Sequence, residues 1–530
     1  MLENKMLIWC KHSGEQVRTN LRMGKEEKAL LVLHSARNMT VSGQICMRYH
    51  LGFEILGVES DNLPAGVTFT YHYAECITFN DGVPYPDILS AKKKMEVKRH
   101  YTQGIWVLFN VSNDAEVGEY EITLTVKTSE GDFPATFALK VYSAVLPEPK
   151  DSKFSHEYFF STTEYFSYKD VRVDVADRLP NFYRSERYSP EWWSVMKSIA
   201  QTMKFMRANV FWLPTLEFLR DAGSKRVGKH EWVLNFDLVD KVIELFLEYG
   251  SFYRIVVKDH FEPADGKRMR TLNEEGQMDL MDVFTDEAES WAKAFYGGIY
   301  KHFEEKGWLS MLSMHLQDEP HSVEYWKWAR EKTREYMPGI RCGEPFDEHH
   351  PVPSFVGDCD LYIPRVDIYE FNKEFYGARK QEGAELWTYT CCDPETFFWL
   401  NRFIDQPHVN VRQIMWACFS QDIDGYLHWG FNFWDSAGFA GLQPDARVKG
   451  DGYIVYPDPE NNAVKLSARV IATVDGAQEW ELLTMLAKYD EQKAKEIAAT
   501  VAKSFSDFSN DFSSADRARK EILELLEIMQ

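Results

Sequence analysis

Two adjacent carboxylates, Asp318 and Glu319, end a hydrophobic run over residues 309–316 and stand just before Pro320 and Ser322. The run reads as a short buried strand, and Pro320 and Ser322 open a helix over 323–336. A carboxylate pair at the C-terminal end of a strand, just before a helix, is where an α/β barrel carries its chemistry. The chemistry such a pair suggests is cleavage of a glycosidic bond. That reaction usually takes one carboxyl group to protonate the leaving oxygen and a second on the other face of the sugar. Adjacent side chains do not naturally flank a sugar ring from opposite faces. The strand over 385–390 ends in Thr388-Tyr389-Thr390 with no carboxylate before Asp393, and Asp393 suits the N-cap of a helix starting at Pro394. The missing opposite carboxylate favours substrate-assisted catalysis, in which a 2-acetamido carbonyl on the sugar attacks the anomeric carbon. The protein then supplies one acid/base and one neighbour that orients the acetamide N–H and stabilises the oxazolinium-like intermediate. On this reading Glu319 is the acid/base, its proton retained by burial and by the neighbouring negative charge. Asp318 is the acetamide orienter. The dipeptide alone suits a helix start equally well, where carboxylates satisfy free N–H groups and the helix dipole; its place in a barrel turns the balance towards chemistry.

The other strand ends supply aromatic and polar groups with little positive charge, which suits a neutral sugar better than a phosphate. Trp212 follows the second strand, Asp259 and His260 the third, and His315 lies near the end of the fourth. Tyr389 lies on the seventh, and Trp429, Asn432, Trp434 and Asp435 lie on or after the eighth. The expected sugar-binding set is therefore His315, Tyr389, Trp429, Trp434, Asn432, Trp212 and His260, with Trp429, Trp434 and Tyr389 on the pocket walls. His315 also suits a core histidine, and Trp429 and Trp434 also suit core aromatics. Asp259-His260 has no second pair at metal-ligand spacing, so no metal is expected. Glu344, at the end of the fifth strand, is a spare carboxylate that would serve a two-carboxylate mechanism with Glu319.

The elements that must position these residues alternate from residue 151 onward. Strands are expected at 154–161, 209–213, 252–258, 309–317, 339–344, 360–364, 385–390 and 425–433. Helices are expected at 191–207, 237–249, 287–305, 323–336, 370–382, 395–403, 410–419 and 476–488. Eight strands with mostly helical crossovers define a (β/α)8 TIM barrel over 151–490. The charged loop 261–282 is long enough to be a lid. Residues 1–150 show alternating runs at 67–73, 104–111, 120–128 and 133–142 with turn residues between them, the pattern of an all-β sandwich. Val145-Leu146-Pro147-Glu148-Pro149-Lys150-Asp151 is a proline-punctuated exit from it. Residues 491–530 read as a charged helical extension whose apolar face, Ile522, Leu523, Leu525 and Leu526, docks on the barrel exterior.

The chain has 530 residues and a formal charge of −22, with 45% hydrophobic and 15% aromatic residues. Such an acidic chain argues against nucleic acid and anionic membranes as partners. High aromatic content is compatible with sugar binding. Eight cysteines without metal or disulfide-scaffold spacing read as reduced core thiols. With no apolar leader at the N-terminus and no run long enough to span a bilayer, a cytoplasmic location is expected, unless a leader has been removed.

Three stretches resemble glycoside hydrolase family 123 and its related uncharacterised bacterial domain family. They are Asp318-Glu319-Pro320; Leu386-Trp387-Thr388-Tyr389-Thr390-Cys391-Cys392; and a third extending from Arg412-Gln413-Ile414-Met415-Trp416 through Gly425-Tyr426-Leu427-His428-Trp429-Gly430-Phe431-Asn432, Gly450-Asp451-Gly452-Tyr453-Ile454-Val455-Tyr456-Pro457 and Ser467-Ala468-Arg469-Val470 to Asp475-Gly476-Ala477-Gln478-Glu479-Trp480. The last six residues depart from the family's Asp-Gly-x-Glu-Asp-Tyr form. The resemblance implies a sandwich followed by a barrel, and an exo-acting, retaining β-N-acetylgalactosaminidase with substrate assistance and no cofactor. It places the two catalytic roles on Asp318 and Glu319, with an oligosaccharide or glycoconjugate as substrate. Two other readings stay open: a two-carboxylate glycosidase on a non-acetamido sugar, and a non-catalytic carbohydrate-binding protein that uses the sandwich.

Overall fold

Strands with every second side chain apolar pair into sheets with one buried face, and two such sheets close on each other. The computed structural model, which describes residues 5–162, 182–258, 267–320, 322–347, 352–395, 398–434 and 448–529, shows this in its N-terminal part. One five-stranded sheet runs in the order Leu7–His12, Met39–Arg48, Thr102–Val111, Val67–Thr78, Pro84–Ser90. The other runs Leu30–Arg37, Gly131–Val145, Gly118–Thr128, Phe53–Glu59, Met95–Val97. Neighbours are antiparallel except Leu30–Arg37 and Gly131–Val145, which run parallel. Ile122, Leu124 and Val126 alternate inward on one strand, and Phe137, Leu139 and Val141 on the next. Phe137 meets Phe109 of the opposite sheet edge-on at 5.1 Å.

The second part is a closed barrel of eight parallel strands: Ser155–Tyr158, Val210–Leu213, Arg254–Lys258, Leu312–His315, Arg341–Phe346, Leu361–Pro364, Glu385–Thr390 and Gly425–His428. The first strand pairs with both the second and the eighth, which closes the ring. Val210, Trp212, Val256, Leu361, Ile363, Trp387, Tyr389 and Leu427 fill the lumen as an apolar cluster of their own. Gly425 lets Trp387 occupy that space, since a Cβ there would stand 2.7 Å from both the Ser155 carbonyl oxygen and the indole. At the N-terminal end of the lumen Arg254 donates to both oxygens of Glu385 across the barrel, at 2.9 and 2.8 Å.

The crossover helices begin where side-chain caps permit. Ser189 caps Pro190–Phe205, Thr285 caps Asp286–Lys306 and Ser322 caps Val323–Tyr336. Four expectations are corrected. The run over 309–316 is a 3-10 turn, Leu309–Met311, followed by the strand Leu312–His315. The helix expected at 370–382 is two, Val366–Phe371 and Lys373–Gln381, broken at Asn372. The described residues between Pro394 and Phe403 form no helix; Asn401 donates instead to the carbonyls of Cys391 and Pro394, at 3.0 and 3.4 Å. The C-terminal extension is likewise two helices, Glu491–Val501 and Ser514–Met529, with a turn between them in which Lys503 and Ser504 N–H groups donate to the Asp507 carbonyl. Within the loop 261–282, strands Arg268–Leu272 and Met278–Asp282 form a hairpin, fastened by the indole N–H groups of Trp232 and Trp291.

The sandwich and barrel meet along a seam of buried charge. Arg469 and the Tyr456 hydroxyl both donate to Asp87 of the sandwich, the latter at 2.6 Å. Arg412 pairs with Glu479 and with Asp516, and the Trp416 indole donates to Glu479 at 2.7 Å. Ser13 of the sandwich donates to Asp475 at 2.7 Å, and Gln478 exchanges hydrogen bonds with the Thr40 backbone. The helix Ser514–Met529 buries Ile522, Leu523 and Leu526, and its Asp516 also pairs with His12 at 2.7 Å. It therefore packs at the seam and not only on the barrel. All eight cysteines are free thiols, five of them buried. Among the described residues no helix is long and apolar enough to cross a membrane.

Candidate active site

Strand alternation decides which side chains reach the lumen. On the fourth strand Ser313 lies opposite Val256, and His315 opposite Lys258. His315 faces the lumen and meets the edge of Phe159 at 5.9 Å. The chain then leaves the barrel wall at Leu316 and Gln317 and brings Asp318 and Glu319, both half-buried, to the C-terminal mouth. Glu319 has φ 47°, in the left-handed region. Non-glycine residues enter it only where surrounding contacts hold them, and such residues concentrate at functional sites.

The two carboxylates turn to different partners. The Tyr389 hydroxyl, on the seventh strand, donates to Glu319 Oε1 at 2.6 Å. Burial and the Glu319 charge push the Tyr389 phenol well above its usual range, so it stays a donor. Lys258 Nζ, at the end of the third strand, donates to Asp318 Oδ2 at 3.1 Å. The same ammonium lies over the rings of Phe159 and Trp212, at 5.7 and 6.0 Å from their centroids. These rings stack on each other at 5.0 Å. Cation–π contact of this kind anchors a cation without consuming its donors.

Beneath the pair lies a polar patch inside the apolar lumen. Glu157 of the first strand has no exposed surface, and its carboxylate comes within 3.9 Å of His315 Nε2. Burial lifts the Glu157 pKa to about 8, with the Asp318 charge adding to the rise and Arg254 opposing it. Burial pushes His315 down to about 3, so it is neutral. Among the described residues, neither Glu157 oxygen, nor His315 Nε2, nor either amide atom of Gln317 has a hydrogen-bond partner.

The remaining predicted residues divide. Trp429 is half-buried, and its indole N–H donates to Asp451 at 3.0 Å. Asp451 is itself buried, with its other oxygen 3.4 Å from His428 Nε2, and burial raises its pKa to about 6. Trp434 is not a wall residue: it has no exposed surface, its N–H donates to the Val455 carbonyl at 2.9 Å, and it packs on Phe182. Asn432 is also fully buried and clamps the Ser161 backbone with both amide atoms, at 2.8 and 2.9 Å, joining the ends of the eighth and first strands. Trp212 lies within the lumen, under Lys258. His260, Asp259 and Asp435 lie outside the described residues. Glu344 faces away from the lumen, towards the helix Val323–Tyr336, where the Trp326 indole donates to it at 3.0 Å. Asp393 caps no helix, and its carboxylate comes within 3.8 Å of Arg365.

Sequence reasoning missed Lys258, Glu157 and Asp451. The first two lie on expected strands, at positions that the barrel turns to the lumen, but neither is an isolated charge in an apolar run: Glu157 is flanked by His156 and Tyr158, and Lys258 shares its strand with Arg254. Asp451 lies in a loop and carried no periodic signal. Among the described residues no group of three or more histidine, cysteine or acidic side chains is placed to hold a metal.

A closed eight-stranded parallel barrel with two carboxylates at its C-terminal mouth places the chain among the (β/α)8 barrel proteins, whose chemistry sits on that face. The chain belongs to glycoside hydrolase family 123: residues 175–486 match the catalytic domain of that family and residues 2–128 match its N-terminal domain. It is therefore a glycosidase-family protein, with a carbohydrate as its substrate class. Among solved structures it is similar to a family 123 glycoside hydrolase from Clostridium perfringens, described for glycolipid glycan hydrolysis, with TM-score 0.76 and 13% identity over 99% of each chain. A β-glucuronidase from an uncultured Clostridium species matches with TM-score 0.36 and 10% identity, over 83% of this chain and 66% of that one. An endo-β-1,4-mannanase from Thermotoga petrophila matches with TM-score 0.35 and 10% identity, over 63% and 78%. No curated protein matches the chain.

Proposed function

We propose that this protein is an exo-acting, retaining β-N-acetylhexosaminidase that removes terminal β-linked N-acetylgalactosamine by substrate-assisted catalysis. The observation that supports it is the divergence of the pair: Glu319 accepts from Tyr389 on one side of the mouth and Asp318 from Lys258 on the other. Glu344, the carboxylate that would serve a two-carboxylate mechanism, is turned out of the lumen. The sugar's acetamide carbonyl attacks the anomeric carbon while Glu319 protonates the leaving oxygen. Asp318 accepts the acetamide N–H and faces the positive charge of the oxazolinium. Glu319 then takes a proton from water, which attacks the same carbon and restores the β configuration. Tyr389 fixes the Glu319 rotamer, Lys258 that of Asp318, and the half-buried indole of Trp429 offers an apolar face to the sugar.

Hydrolysis of aryl β-glycosides of N-acetylgalactosamine, N-acetylglucosamine and galactose tests this reading. Wild type is expected to cleave acetamido sugars alone, with N-acetylgalactosamine preferred. Asp318→Asn and Glu319→Gln are each expected to lose about 10²- to 10⁴-fold in kcat. Cleavage of the plain galactoside would move the mechanism to two carboxylates.

A further inference from the structure

We infer that Glu344 is the positioning residue of the carboxylate pair, fixing from outside the lumen the turn that carries Asp318 and Glu319 to the mouth. This rests on the hydrolase reading above and adds a residue to it. Backbone pairing between the fourth and fifth strands comprises Ser313 with Arg341 and Met314 with Cys342. Past Met314 the fourth strand departs, and Glu344 takes over where the ladder stops. Its Oε1 accepts the Leu316 N–H at 2.7 Å, and its Oε2 accepts the Gln317 N–H at 3.1 Å. Oε1 also accepts the Trp326 indole N–H at 3.0 Å. Trp326 lies in the helix that follows the pair, so one carboxylate ties the strand exit to the helix entry. Asp318 and Glu319 sit between these anchors, with Glu319 held at φ 47°.

Alternation along the fifth strand places Glu344 on its outer face. Its neighbour Gly343 is the residue turned to the lumen, where a Cβ would stand 2.7 Å from Leu361. Glu344 has no exposed surface. Burial pushes its pKa well up, and the three N–H donors oppose that rise. A nucleophile would have to reach the sugar; a group with this placement reaches the backbone of the turn and the Trp326 indole.

Glu344→Gln is the discriminating change. The amide keeps an oxygen for Leu316 and Trp326 but sets an NH₂ against the Gln317 N–H. The expected result is a fall in kcat of about 100-fold with KM within about threefold, since misplacing reacting groups by about an ångström costs that much. Trp326→Phe removes the third donor and leaves both backbone bonds, and is expected to keep kcat within about threefold of wild type. In a crystal structure of Glu344→Gln, Glu319 is expected to leave the left-handed region and its contact with Tyr389 to lengthen beyond 2.6 Å. If that variant does not fold, Glu344→Asp, which keeps the charge and shortens its reach, carries the same expected losses.

Wild-type kcat in either Glu344 variant overturns the inference, and so does Glu319 staying at its native φ. A fall in Trp326→Phe as large as in Glu344→Gln assigns the loss to helix packing and also overturns it. Azide rescue of Glu344→Gly, with a glycosyl azide as product, would make Glu344 a nucleophile and sink the substrate-assisted reading as well. The first three outcomes leave that reading standing, because Asp318→Asn and Glu319→Gln decide it. The crystallographic readout needs no substrate, so it decides the inference even if the substrate is misassigned.

Discussion

The seam between sandwich and barrel buries charge, and so does the barrel lumen, but the fully buried carboxylates of the seam stand directly against cations, whereas the fully buried Glu157 of the lumen does not. At the seam Arg412 has Glu479 and Asp516, Arg469 has Asp87, and the Trp416 and Tyr456 side chains add donors to the carboxylates. In the lumen the Glu157 carboxylate and the Gln317 amide have no hydrogen-bond partner among the described residues, and His315 Nε2 stands 3.9 Å from Glu157. Both regions hold buried polar atoms without a hydrogen-bond partner among the described residues, some on Arg412 and Arg519 at the seam, so the difference lies in the carboxylates: those of the seam face guanidinium groups and Glu157 faces a neutral imidazole. The lesson is that buried charge alone does not locate an active site.

Removing one partner at the seam is the strongest test of that contrast. Arg412→Met leaves the Glu479 carboxylate without its main counter-charge at a position with no exposed surface. Breaking such a pair costs about 3–5 kcal/mol. The expected outcome is a clear fall in Tm, with specific activity of the folded fraction unchanged. Loss of activity at unchanged Tm would erase the distinction between the two regions.

In the lumen the opposite sign is expected. The folded pKa of Glu157, about 8, stands above the ordinary 4.5, so the folded chain holds this proton more tightly than the unfolded chain. Its contribution is fully present below about 4.5 and is lost as pH rises to about 8, at about 1.4 kcal/mol per pH unit across that window. Glu157→Gln removes that slope. Urea unfolding across the window should show the variant gaining on wild type as pH rises; parallel stability curves would mean that Glu157 is not held protonated.

The smallest effect concerns Lys258, whose pair with Asp318 is partly open to water. Lys258→Met is expected to lower kcat/KM about three- to tenfold, as befits a partly exposed pair. Lys258→Arg, which keeps the charge, is expected to retain most of the activity. Equal loss in both would assign Lys258 a steric role against Phe159 and Trp212 instead of an electrostatic one.

The barrel was legible because strand periodicity and helix caps are local signals. Eight strands and their order follow from runs such as residues 254–258 and 385–390 without tertiary information. Local signals failed where a side chain replaced a ladder. Asn401 ties down the Cys391 and Pro394 carbonyls where a helix was expected to start, and nothing near it in sequence announces this. In the site, Asp318, Glu319 and Tyr389 were legible from strand ends. Lys258 and Glu157 were not, because a charge within a strand gains meaning only once the lumen-facing side of that strand is known. Trp434 and Asn432 show the converse error. Nearness to a strand end suggested a sugar contact, whereas the fold uses one as core and the other as a clamp.

The left-handed backbone of Glu319 bears on how such a chain drifts under mutation. Glycine or asparagine would occupy that position at lower conformational cost, so on the proposed reading such a change gives a sturdier and less active protein. Stability and turnover then pull this one residue in opposite directions, and the glutamate at φ 47° stands on the side of turnover.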